Sequence, residues 1–117
     1  METSISGFPI TESDTCFEIQ FSGMLNTNIS QEIRAKLKEM AEKKSLLFDF
    51  AKISMISSTG VGALFELNDL LTASNRKLIL INPSERASES LKLTGLYDLF
   101  TIVNSREKAY ELLHERV

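Results

Sequence analysis

A chain of 117 residues can close one hydrophobic core without disulfides or metal, and its length predicts a single domain over residues 1–117. The formal net charge is −3, with Lys and Arg scattered along the chain, which speaks against nucleic acid as a partner because neutralising phosphates requires a basic face. No segment approaches the roughly 18 unbroken apolar residues of a bilayer span, and METSISGFPI has neither the basic start nor the long apolar run of a secretory leader. The expectation is a soluble, cytoplasmic protein with no membrane insertion, able to reach a membrane complex only through a partner. Cys16 is the only cysteine, which excludes an intrachain disulfide and fits a reducing compartment.

In chain order, a first short strand is expected near residues 5–10, and the polar TESD that follows reads as a turn. In TCFEIQFS, residues 15–22, Phe17, Ile19 and Phe21 recur at period two, the mark of a half-buried strand. After Gly23, the positions of Ile29, Ile33, Leu37, Met40 and Ala41 form one helical stripe, with Asn28 and Gln31 as a capping pair at its start. LLFDF, residues 46–50, suits a strand buried on both faces, which Ile53 to Ile56 either extends or bends. From Thr59 to about Ala73, Val61, Leu64, Phe65, Asn68 and Leu71 make a second stripe that Leu67 and Leu70 thicken, so this helix is expected to be covered on more than one side.

KLILI, residues 77–81, is another buried strand. Asn82-Pro83-Ser84-Glu85 predicts a helix start, with Asn82 as cap, Pro83 in the first helical position and Glu85 closing a capping box; Gly95 ends that helix. Leu99 to Val103 is a last short strand, and Asn104 with Glu107 is expected to cap a final helix carrying Ala109, Leu112 and Leu113. Met24, Met40 and Met55 are expected to fill gaps in the core. The order β-β-α-β-α-β-α-β-α predicts an α/β fold: a mostly parallel sheet of four to five strands with helices packed on it.

Catalytic chemistry is hard to assemble from these residues. His114, the only histidine, falls in the last turn of the terminal helix, where an imidazolium suits the helix dipole. With Cys16 at the other end of the chain, neither a zinc site nor a Cys-His pair is supported. Gly60-Val61-Gly62 lacks the third glycine of a dinucleotide loop, since position 65 is Phe, and the lysine of a phosphate loop is missing. No enzyme activity, cofactor or metal is expected.

One stretch remains unexplained: SMISSTGVGALF, residues 54–65, sets three hydroxyls between a strand and a helix. A helix cap needs one of them. Gly60 and Gly62 each lower helix propensity by about 1 kcal/mol relative to Ala, which implies that the sheet or a partner approaches the backbone here. A hydroxyl at a helix start is also accessible to phosphorylation, which would add about −1.5 to −2 charges that the helix N-terminus tolerates and a docked partner does not.

Three segments carry a resemblance. LLFDFAKISMISSTGVGALFEL is similar to the strand, D-S-S-G-L-G loop and helix of STAS domains, the fold of anti-sigma factor antagonists. KLILINPSERASESLKLTGLYDLFTIVNSREKAYELL matches the N-P start and L-T-G-L turn of that family, and FSGMLNTNISQEI its Gly-containing strand end and first helix. Together they cover about residues 15–113. The resemblance implies that Thr59 occupies the phosphorylated position of the switch proteins, with Ser58 as the alternative acceptor and Ser57 where the family usually has Asp. It implies a partner surface formed by Ile56, Ser57, Ser58, Thr59, Gly60, Val61 and Gly62, with the exposed side of the following helix and Ser84 to Ser88 nearby. Asp49 matches the family's strand Asp and is read as a structural carboxylate.

The function this resemblance implies is partner switching. The unphosphorylated chain would bind an anti-sigma factor with serine/threonine kinase activity, phosphorylation at Thr59 would release it, and a phosphatase would restore it. The alternative is an accessory subunit of a transport complex that uses the same helix face constitutively.

Overall fold

The strand bearing Phe17, Ile19 and Phe21 is the third of a six-stranded sheet, in the computed structural model that describes residues 4–114 apart from the side chains of residues 27–32. The strands are β1 (Ser4–Ile5), β2 (Phe8–Glu12), β3 (Cys16–Leu25), β4 (Ser45–Ile56), β5 (Leu78–Ile81) and β6 (Thr101–Val103), and they lie in the sheet in chain order. β1, β2 and β3 pair antiparallel; β3 to β6 pair parallel. Parallel neighbours need long crossovers, which α1 (Thr27–Ala41), α2 (Ser58–Ala73) and α3 (Glu85–Leu93) provide, while α4 (Arg106–His114) follows β6. The α/β class and mostly parallel sheet are as expected, but among the described residues the sheet has six strands rather than four or five. Ser6 (φ 49°) and Gly7 (φ 87°) both take left-handed backbone, making the two-residue turn that folds the expected first strand into a hairpin with Ile5 opposite Phe8.

The two faces of the sheet are covered differently. Phe17, Ile19 and Phe21 of β3 and Leu46, Phe48 and Phe50 of β4 face a core closed by Ile33 and Leu37 of α1, Val61, Leu64, Leu67 and Leu71 of α2, and Ala87 and Leu91 of α3. On the other face, Cys16, Leu47, Ile79 and Ile81 meet Ala109 and Leu113 of α4. So the LLFDF segment is buried on both faces, and Ile53 to Ile56 extends its strand. α2 touches α1, α3 and the sheet, as its composition implied, and Arg34 pairs with Glu66 across the α1–α2 seam. Leu70 is nevertheless 38% exposed and does not thicken the buried stripe.

Several expected caps move by one or two residues. Ser84, not Asn82, caps α3: its Oγ accepts the Ala87 N–H at 3.0 Å, leaving Asn82 in left-handed backbone (φ 48°) and Pro83 ahead of the cap. The cap is drawn there because Ser84 Oγ also donates to Ile53 O on β4, at 2.6 Å. Ser105, not Asn104, caps α4 by accepting the Lys108 N–H at 3.2 Å. Gly95 takes the left-handed position (φ 77°) just beyond α3, as expected. α1 begins at Thr27, and the expected Asn28–Gln31 side-chain pair lies outside the described residues.

α4 is held to β3 by a polar cluster. Arg106 donates to both oxygens of Glu18 at 2.8–3.0 Å, Tyr110 donates its hydroxyl to Glu18 Oε1 at 3.3 Å, and Cys16 Sγ lies 3.6 Å from the same hydroxyl. Partial burial, then the Cys16 and Glu18 neighbours, push the Tyr110 phenol from 10.0 up to about 12. A raised folded pKa means that this group's share of stability is intact below pH 10 and is lost as pH rises through about 12. An alkaline loss of stability in that window is expected by urea titration, and Tyr110→Phe should remove that part of it.

Candidate functional site

The site is built by a strand that outruns its neighbour. β4 pairs with β5 only as far as Asp49, opposite Ile81, and then continues to Ile56 beside β3 alone. Two register shifts against β3 bend this extension, and Asp49 Oδ1 accepts the Ala51 N–H at 3.0 Å across the first of them. The backbone groups that β5 no longer serves are taken up by the α3 segment. Ser84 N–H donates to Phe50 O (3.1 Å), Ser84 Oγ to Ile53 O, and the Ile56 N–H donates to Ser90 Oγ (3.1 Å). Buried backbone polar groups need such partners. Serine hydroxyls here replace a strand, and the end of β4 is fixed in place.

From that anchor the chain turns into α2. Ser57 N–H donates to Leu25 O at 2.9 Å, and Ser57 is extended (φ −72°, ψ 162°), with its Oγ accepting the Gly60 N–H at 3.0 Å. Ser57 is therefore the helix cap, and one hydroxyl of the three is accounted for. Ser58 and Thr59 open the first turn of α2, exposed, and among the described residues their side chains make no hydrogen bond. Ile56, Gly60 and Val61 are buried and hold the loop on the core, so the surface offered here consists of Ser58, Thr59, Gly62 and the rim of Ser57. Ser57→Ala should lower stability by about 1 kcal/mol in chemical denaturation, the worth of a lost cap.

A Cβ added at Gly62 would meet no atom within 4 Å, so the fold does not require glycine there. Gly62→Ala should raise stability by up to about 1 kcal/mol in the same assay. Met24 and Met55 correct an expectation: they are 46% and 41% exposed and lie side by side in register, one residue before Leu25 and Ile56. Their buried neighbours face the core, so the pair faces outward next to the loop; Met40 does pack on the core. The three-residue spacing of buried Ile53 and Ile56 was the available sign that β4 leaves strict alternation here. Among the described residues no cluster of three or more His, Cys, Asp or Glu could hold a metal ion, and no helix is long and apolar enough to cross a membrane.

A family model described as the STAS domain matches residues 8–109. The chain belongs to the STAS domain family. Among solved structures, the unphosphorylated form of the anti-sigma factor antagonist SpoIIAA is 23% identical, with a TM-score of 0.79 over 95% of this chain and 99% of that one. The phosphorylated form of the Bacillus cell fate determinant SpoIIAA is 22% identical, with a TM-score of 0.70 over 92% of this chain and 99% of that one. SLC26A9 is 14% identical, with a TM-score of 0.74 over 88% of this chain but 20% of that one. At these identities the likeness is one of fold: this STAS chain has the fold of an anti-sigma factor antagonist. Ser57 makes the cap bond that an Asp side chain could also make, without the charge.

Proposed function

We propose that this STAS protein is an anti-sigma factor antagonist that works by partner switching, with Thr59 as its phosphorylation site and Ser58 as the alternative acceptor. The observation that carries the reading is the division of labour among three adjacent hydroxyls. Ser57 is spent on the cap, while Ser58 and Thr59 are exposed on the first turn of α2 with no bond of their own among the described residues. Phosphate on Thr59 would add about −1.5 to −2 charges at the end of a helix whose dipole and free N–H groups accept an anion, so the fold need not change. A partner docked on Ser58, Thr59 and Gly62 would instead have to bury or repel that charge. In this reading the partner is an anti-sigma factor with serine/threonine kinase activity, which brings its own ATP and Mg²⁺, and a phosphatase reverses the step. The likeness to SpoIIAA in both its unphosphorylated and phosphorylated forms supports it.

A second reading, an accessory subunit of a transport complex, is favoured by the likeness to one fifth of SLC26A9. There the hydroxyls would be surface groups and binding constitutive. Wild-type and Thr59→Glu baits, compared side by side in lysate of the source cells, separate the two. A kinase-type protein held by wild type and lost with Glu supports switching; transport subunits held equally by both support the second reading and sink the first.

A further inference from the structure

We propose that a cleft at the carboxyl ends of β5 and β6, separate from the hydroxyl loop, binds a small carboxylate with an apolar body. The chain changes faces of the sheet there: α3 packs through Ala87 and Leu91 into the core shared with α1 and α2, whereas α4 packs through Ala109 and Leu113 on the opposite side. In open α/β sheets, ligands bind outside the carboxyl ends of the strands. The cleft has a volume of about 500 Å³, within the range of about 300–1,000 Å³ usual for small-molecule sites.

Its lining divides by chemistry. Its apolar residues, all half-buried, are Tyr97 and Ile102, which pack on the core beneath α1 to α3, and Val103, which packs on the α4 side; the Lys92 ammonium lies over the Tyr97 ring at 4.9 Å. Its polar residues are Asn82, Asn104 and Lys108, which are exposed, and Ser88, which is half-buried. Among the described residues, none of these four makes a side-chain hydrogen bond or ion pair. Their neighbours do: Ser84 and Ser90 on the same helix are bonded to β4, and Ser105 caps α4. The Asn82 N–H donates to Val103 O at 2.7 Å, which ties that residue to the end of β6.

Lys108 is the only charged residue of the lining. Glu85 and Glu107 are exposed in the first turns of α3 and α4 and line none of it. One ammonium, two amides and a hydroxyl supply donors for a single carboxylate, and the charge-assisted bond from Lys108 is the strongest of them. The one ammonium of the lining matches the single charge of a carboxylate, while the second nearby ammonium, Lys92, is engaged on the Tyr97 ring. Tyr97 and Ile102, on one side of the sheet, receive the carbon skeleton.

Amide NMR spectra of the full chain, titrated with benzoate, isocaproate, neutral benzamide and inorganic phosphate, test the assignment. Both carboxylates are expected to shift the resonances around Asn82, Ser88, Ile102 and Asn104 saturably, and benzamide to leave them in place. Lys108→Gln, with its spectrum otherwise preserved, should weaken carboxylate binding about tenfold or more. The proposal is overturned if neither carboxylate gives saturable shifts at the cleft, if Lys108→Gln binds as wild type does, or if benzamide or phosphate binds there as tightly.

Discussion

Thr59→Glu is expected to weaken binding of the partner about a hundredfold while the melting temperature and amide spectrum stay close to wild type. The size follows from the place. An interface that must take up an unpaired charge loses about 2–5 kcal/mol, and about 3 kcal/mol is roughly a hundredfold in affinity. The fold is spared because Thr59 is exposed and its side chain holds nothing in place, the cap belonging to Ser57. Thr59→Ala should bind as wild type does and no longer respond to the kinase. Ser58→Glu serves as the neighbouring control: a larger loss there than at Thr59 would move the acceptor to Ser58. Titration calorimetry with the purified partner reads all three, and equal affinity for wild type and both Glu variants would defeat the switching account. Gly62→Ala bears on the same surface. If the partner approaches the backbone closely, the variant that gains stability should lose affinity.

Phe21→Ala should cost about 3–5 kcal/mol, the usual range for truncating a buried aromatic. Phe21 is 1% exposed and lies at the centre of a ring cluster. Its ring is 4.9 Å from both Phe8 and Phe48 and 5.6 Å from Phe50, with the two β4 rings edge-on. Each such aromatic pair is worth about 0.5–1.5 kcal/mol beyond its buried area, and all three are lost together. Against a total stability of about 5–15 kcal/mol, the variant should be partly unfolded at moderate temperature. Phe21→Leu should retain more than half of the lost stability. A urea midpoint for Phe21→Ala within the error of wild type would mean that this cluster is not the centre of the core.

How far the sequence could be read depended on whether a feature is local. Phe17, Ile19 and Phe21 at period two, the doubly buried 46–50 run and the stripe ending at Leu71 depend on short spacing alone, and each came out where expected. The caps depend on a second element. Asn82 is as good a cap as Ser84 in isolation, but only Ser84 reaches Ile53 O on the part of β4 that β5 has left. Met24 and Met55 are a different case: methionine is ordinarily core filler, but Met24 shares the parity of Glu18, Gln20 and Ser22, opposite to Phe17, Ile19, Phe21 and Leu25, so period two places it and its partner Met55 on the outer face. At the candidate site, the motif 57–62 was legible as a cluster of hydroxyls and glycines. Which hydroxyl closes the helix was not, because Ser57, Ser58 and Thr59 are chemically alike as caps and the end of β4 decides among them. The cleft between α3 and α4 left no motif, since Asn82, Ser88, Asn104 and Lys108 meet only when the chain changes faces of the sheet.

The most direct test is to isolate the protein from its own cells, separate the partner-bound from the free pool, and map phosphate in each by mass spectrometry. Phosphate is expected on Thr59 in the free pool and nearly absent from the bound one. Phosphate found equally in both pools, or on neither Thr59 nor Ser58 in any condition that changes partner binding, would contradict partner switching.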